Sequence, residues 1–119
     1  MSYDLTFWKQ KPTCATPPEH IYVELMEGRA VEGVETIPTT DFMARVHEKF
    51  HGIAKDGGLV SWDGGKRGSF ELYWSDQHVH CCCRQLSGDD RNVLVDIAVT
   101  FDCRLYDPQT RTRYDRSQA

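Results

Sequence analysis

Apolar and polar positions alternate or recur along the chain in runs that predict its elements. Tyr3 to Lys9 is short, aromatic and apolar, and reads as a first strand. Lys11 to Ala15 is loop. Thr16-Pro17-Pro18-Glu19 then predicts a helix start, with Thr16 as cap and Glu19 closing a capping box. Ile21 and Leu25, with Tyr22 and Met26, share a helical face, and Gly28 ends the run. Residues 29–37 read as irregular. Thr39 or Thr40 is expected to cap a second helix, with Asp41 in its first turn. Its apolar stripe is Phe42, Val46, Phe50 and Ile53, and Gly52 lies near its end.

Asp56-Gly57-Gly58 breaks the pattern, and Leu59 to Trp62 predicts a short strand. The loop Asp63 to Gly68 carries an Asp-Gly hairpin signal. Phe70, Leu72 and Trp74 alternate with polar residues, so the next strand buries one face. After the turn Ser75-Asp76-Gln77, Val79, Cys81 and Cys83 alternate against His78, His80 and Cys82, which completes a three-stranded meander. Ser87 to Asp90 is a further turn. Residues 92–102 fit two periods. Val93, Val95, Ile97, Val99 and Phe101 alternate as a strand would, and β propensity favours that reading. Leu94, Ile97, Ala98 and Phe101 also make a helical stripe, with Asp89 or Asp90 as cap. Leu105-Tyr106 is a short last strand. The whole predicts one α+β domain over residues 1–119, with a polar C-terminal tail from about residue 110. Its expected form is a two-layer sandwich: a mainly antiparallel sheet with two or three helices on one face, in an elaborated ferredoxin-like arrangement.

Composition narrows the class. With 119 residues, 39% hydrophobic and 27% charged, the chain is an ordinary globular mixture rather than a disordered or collagen-like one. No run of 18 apolar residues occurs, so no membrane-spanning helix is expected. The net charge of −4 argues against a nucleic-acid-binding surface, which needs a basic excess. Residues 19–35 hold five glutamates and one arginine, a local charge equal to that of the whole chain. The plain reading is a solvated helix face and loop; the functional reading is attraction of a basic protein partner. The first eight residues lack a basic stretch followed by an apolar one, so a cytoplasmic protein with free thiols at all five cysteines is expected.

Several segments offer candidate chemistry. His47-Glu48-Lys49-Phe50-His51 matches HExxH, in which two imidazoles one helical turn apart bind zinc and the glutamate activates its water. Glu71 is the candidate third ligand. Against this, Lys49 is charged, His51 falls toward the polar side of the helix, and Glu71 reads as a strand residue. A solvated helix is the preferred reading, with zinc as the alternative cofactor to none. His78, His80 and Cys82 fall on one strand face and suit zinc or copper, or a thiol-based redox sensor, with Cys103 or His20 to complete the set. The plainer reading makes Cys81 and Cys83 small core hydrophobes and the histidine face partly exposed. The glycines of Gly64-Gly65-Lys66-Arg67-Gly68 fit a hairpin tip better than a phosphate cradle, and Trp8, Trp62 and Trp74 fit a core. Tyr106-Asp107-Pro108-Gln109-Thr110 is a turn with three different hydrogen-bonding side chains.

Tyr3-Asp4-Leu5-Thr6-Phe7-Trp8-Lys9 and Asp96-Ile97-Ala98, followed by Tyr106-Asp107-Pro108-Gln109-Thr110, resemble a group of small uncharacterised bacterial cytosolic proteins. In that group a helix carrying Ile-Ala precedes a short strand and Tyr-Asp-Pro-Gln, which implies helix over residues 90–102. Similar proteins sit beside secreted polymorphic toxins, which implies an immunity protein. The expectation is therefore a non-catalytic binding protein that blocks a toxin domain. Its contact candidates are Glu24, Glu27, Glu32 and Glu35, with Tyr106, Asp107 and Gln109. The alternatives are a small zinc hydrolase using His47, Glu48, His51 and Glu71, and a metal or redox sensor on residues 78–83.

Overall fold

The computed structural model describes residues 2–113. The expected tail beyond residue 113 lies outside them. The elements in order are β1 (Ser2–Gln10), α1 (Pro18–Met26), β2 (Val34–Glu35), α2 (Thr39–Lys49), β3 (Ala54–Asp56), β4 (Leu59–Asp63), β5 (Ser69–Trp74), β6 (His78–Arg84), α3 (Gly88–Thr100), β7 (Arg104–Asp107) and β8 (Thr112–Arg113). The strands form one antiparallel sheet in the order β3-β4-β5-β6-β1-β7-β8, and β2 pairs with the end of β1. The four strands β7-β1-β6-β5 have the order of a split βαβ unit, the ferredoxin-like core. β3 and β4 extend the meander at one edge and β8 adds a strand at the other.

Strand parity sorts side chains between the two faces. Leu5, Phe7, Val60, Trp62, Phe70, Leu72, Val79, Cys81 and Cys83 point to one face. There they pack under α2, through Phe42, Met43 and Val46, and under α3, through Leu94, Ile97 and Ala98. The Phe50 ring wedges edge-on between Trp62 and Phe70, with centroids 4.9 Å from each. The α+β sandwich of antiparallel sheet and helices is as expected. The remaining helix, α1, is on the other side, not with α2 and α3 on one face. α1 covers part of the second face, where Ile21 and Leu25 pack on Trp8, Val34 and Tyr106.

The caps differ from the sequence reading. Pro17 is the N-cap of α1 and Pro38 that of α2, and neither helix has a side-chain cap hydrogen bond. Pro18 at the first helical position costs nothing, because that N–H has no helical acceptor anyway. In α3 the cap is Ser87, whose side chain accepts from the Asp90 backbone N–H at 3.1 Å, rather than Asp89 or Asp90. This segment resolves the ambiguity of residues 92–102 as helix through Thr100, with Phe101 as its C-cap and Asp102 in the turn that follows. Leu94, Ile97 and Ala98 seat it on the core, and burial overrides the β propensity of its valines. The α2 helix stops at Lys49, so Ile53 lies beyond it. Of the residues read as a break, Asp56 ends β3 and Gly57-Gly58 form the turn to β4. Gly68 has φ of +93°, and a Cβ there would lie 2.3 Å from the Gln85 carbonyl oxygen, so this turn demands glycine.

Candidate functional site

The second face of the sheet gathers the chemistry that the core does not use. Strand register fixes its rows: Asp4, Cys82 and Glu71 lie side by side across β1, β6 and β5, and Thr6, His80 and Tyr73 form the next row. Beside them α1 leaves a cleft of about 410 Å³, lined among others by Met26, Tyr73, His78, His80 and Cys82.

Parity explains the arrangement. Leu5 and Phe7 turn to the core, so Asp4, Thr6 and Trp8 turn the other way. On β6, Cys81 and Cys83 are buried in the core as small hydrophobes, as the alternation predicts, with their sulfurs 3.5 Å apart in a thiol hydrogen bond and not joined by a disulfide. The histidine face is less open than expected. His78 and His80 are buried at 7% and 3% exposure, because α1 shields them. His80 Nδ1 hydrogen bonds the buried Thr6 hydroxyl at 2.7 Å, and the Tyr22 ring of α1 lies 6.2 Å away. His78 Nδ1 bonds Ser75 Oγ at 2.6 Å. Burial holds both imidazoles below their ordinary pKa; His78 falls to about 4, with His80 beside it as a second cause. For His80 the Asp4 carboxylate partly opposes burial. Cys82 is half-buried, and burial followed by the negative fields of Asp4 and Glu71 pushes its thiol up to about 11.

Asp4, His80 and Cys82 each offer one ligand atom, and these atoms all lie within 4.8 Å of one another. Sequence reasoning placed His80 and Cys82 together but looked to Cys103 or His20 for a further group. Cys103 is buried in the core on the opposite face and His20 is exposed on α1. The missed partner is Asp4. Its signal was the parity of β1, but its meeting with Cys82 needed the β1–β6 register, which a single sequence does not reveal.

His47, Glu48 and His51 are exposed. The helix ends at Lys49 and Phe50 is extended, so His51 leaves the helical face and the two imidazoles are not one turn apart. Instead the His51 carbonyl accepts from Trp62 Nε1 at 2.9 Å. Glu71 pairs in register with Cys82, on the face of the sheet away from α2. His47, His51 and Glu71 are therefore not brought together.

Tyr106 and Asp107 are interior, at 1% and 3% exposure, which removes them from any contact surface. Tyr106 packs against Trp8 and Tyr22, with centroids 5.2 Å from each. Asp107 accepts from Tyr3 Oη at 2.7 Å and from the Gln109 N–H at 2.9 Å, and the Gln109 side-chain amide also donates to it. Gln109 is exposed, yet its amide clamps the β1 backbone, accepting from the Asp4 N–H and donating to the Asp4 carbonyl. The Tyr-Asp-Pro-Gln turn thus fastens the end of β7 to the first strand.

The acidic segment is partly self-compensated. Glu24 and Glu27 both engage Arg29, and Glu35 lies 3.8 Å from Lys9. Glu32 is exposed. Among the described residues the large apolar side chains left exposed are Val23, Met26 and Tyr73. Compared with protein-family models and with curated proteins, the chain matches none.

Proposed function

We propose that the protein is a non-catalytic binding protein that docks a basic protein domain on the outer side of α1, in the manner of an immunity protein on a toxin domain. The observation that carries this reading is the composition of that outer side. Glu19, Val23 and Glu27, the last at the C-cap of α1, follow at four-residue spacing, Met26 lies three residues after Val23, and all four are exposed. Two apolar side chains are thus set between two carboxylates. Burial of Val23 and Met26 would supply affinity, and the local charge of residues 19–35 would speed encounter with a cationic surface. Met26 also lines the cleft with Tyr73, so the apolar surface continues from the helix onto the sheet. Glu24, Glu32 and Glu35 add further carboxylates along the same segment of chain. The charge favours a toxin whose own active surface is basic, such as a nuclease. Free thiols at all five cysteines suit action in the cytoplasm.

The test is association kinetics between the tag-free chain and a basic toxin domain captured as its binding partner. A Glu27→Lys/Glu32→Lys variant should bind about tenfold more slowly in low salt, with the difference shrinking as salt rises. Met26→Asp should instead hasten dissociation. An on-rate indifferent to the double charge reversal would sink the reading.

A further inference from the structure

We propose that Asp4, His80 and Cys82 form a zinc site with three protein ligands, facing the cleft beside α1. The proposal stands on the side-chain geometry and does not depend on the partner reading. A carboxylate, an imidazole and a thiolate around one Zn²⁺, at bond lengths of about 2.0–2.3 Å, have ligand atoms roughly 3.3–3.7 Å apart. The three atoms already lie within 4.8 Å of one another, so side-chain rotations that draw them in by about 1 Å complete the shell. Two of the three stand directly opposite each other in the β1–β6 register, which fixes their spacing through the backbone.

The donor set suits the ion. One carboxylate, one thiolate and one neutral imidazole bring two negative charges to a divalent cation, so the half-buried site would be neutral when filled. Among the described residues no lysine or arginine forms an ion pair with Asp4, so no protein cation takes that place. A thiolate with an imidazole selects zinc over magnesium or calcium. The support around the ligands is also of the kind a metal site needs. Thr6 is fully buried and holds His80 Nδ1 at 2.7 Å, which leaves Nε2 as the nitrogen free to ligate. The fourth position would open to the cleft, whose volume of about 410 Å³ admits water.

The experiment is a titration of the reduced, tag-free, chelator-stripped full chain with Co²⁺, followed by competition with Zn²⁺. One equivalent of Co²⁺ should bind with a near-ultraviolet thiolate-to-cobalt charge-transfer band, and one equivalent of Zn²⁺ should abolish that band. Cys82→Ser should lose the band. Asp4→Asn should weaken zinc affinity about tenfold or more, and Thr6→Val should weaken it about tenfold while keeping the band. Cys82 and Asp4 are only half-buried and Thr6→Val conserves shape, so these variants test the site without emptying the core; circular dichroism checks that each is folded. His47→Ala/His51→Ala should change nothing. A wild-type chain with no charge-transfer band would overturn the proposal. So would a band that survives Cys82→Ser, or one lost in the His47/His51 variant.

Discussion

Asp107 is the residue at which a structural and a partner-binding role predict opposite results. It is 3% exposed and accepts from Tyr3 Oη at 2.7 Å and from the Gln109 backbone at 2.9 Å. Each bond to an ionised carboxylate contributes about 1.5–3 kcal/mol. Asp107→Ala removes these two bonds, the further bond from the Gln109 side-chain amide and a buried turn anchor, so a loss of about 3–5 kcal/mol is expected. Domains of this size have only about 5–15 kcal/mol in total. In urea, with a slope of about 2 kcal/mol/M, the unfolding midpoint should drop by about 2 M. The titration of this carboxylate adds a second signature. Burial alone would raise its pKa, but the bonds from Tyr3, Gln109 and the backbone of residues 109 and 110 outweigh burial and hold it below the usual range. Its stabilisation is therefore complete above the ordinary carboxylate pKa and is lost as pH falls through the lowered value in the fold. Wild type and Asp107→Asn should then converge in stability on acidification. A variant with wild-type midpoint at neutral pH, but weaker partner binding, would refute the structural assignment.

Three further outcomes are expected. In chelator, a maleimide should modify the half-buried Cys14 and Cys82 before Cys81, Cys83 and Cys103, as read by peptide mass spectrometry; equal rates at all five would mean the alternation on β6 is wrong. Gly68→Ala meets the Gln85 carbonyl at 2.3 Å with φ of +93°, so thermal unfolding should shift down by at least the 4–8 °C that about 1 kcal/mol produces, and an unchanged midpoint would remove the steric argument. Asp90 is held below its ordinary pKa by the hydrogen bonds of Arg67 first, against a smaller opposing effect of burial, with help from Ser87. Its contribution should be present above the ordinary carboxylate pKa and fade as pH falls through the lowered one, so Asp90→Asn should flatten the acid limb of a stability–pH curve; parallel curves would contradict this.

Local pattern carried most of the architecture. The alternation of Val79, Cys81 and Cys83 against His78, His80 and Cys82 was legible because a sheet sorts side chains by parity alone. The stripe of Phe42 and Val46 located α2 for the same reason of period. Two-residue β2 and β8 and the edge strand β3, exposed throughout, leave no hydrophobic signature and were invisible. Residues 92–102 carried two periods at once, and only the packing of Leu94, Ile97 and Ala98 distinguishes them. The side of the sheet taken by α1 depends on long-range topology, as does the register that sets Asp4 beside Cys82. HEKFH misled because the match is to spelling, whereas the chemistry needs a helix that continues through His51, and α2 ends two residues earlier. Tyr106 and Asp107 were read as surface because a Tyr-Asp-Pro-Gln turn is polar; their burial comes from β7 lying beside β1 under α1.

The central proposal is that the second face of the sheet, with α1 and its cleft, is the face that docks a partner. Amide hydrogen exchange on the chain, free and in complex with a basic protein domain that it binds, tests this most directly. The account predicts added protection concentrated in α1, through residues 27–35, and at the β5–β6 turn. Protection falling instead on α2 and β3, with α1 unchanged, would contradict it.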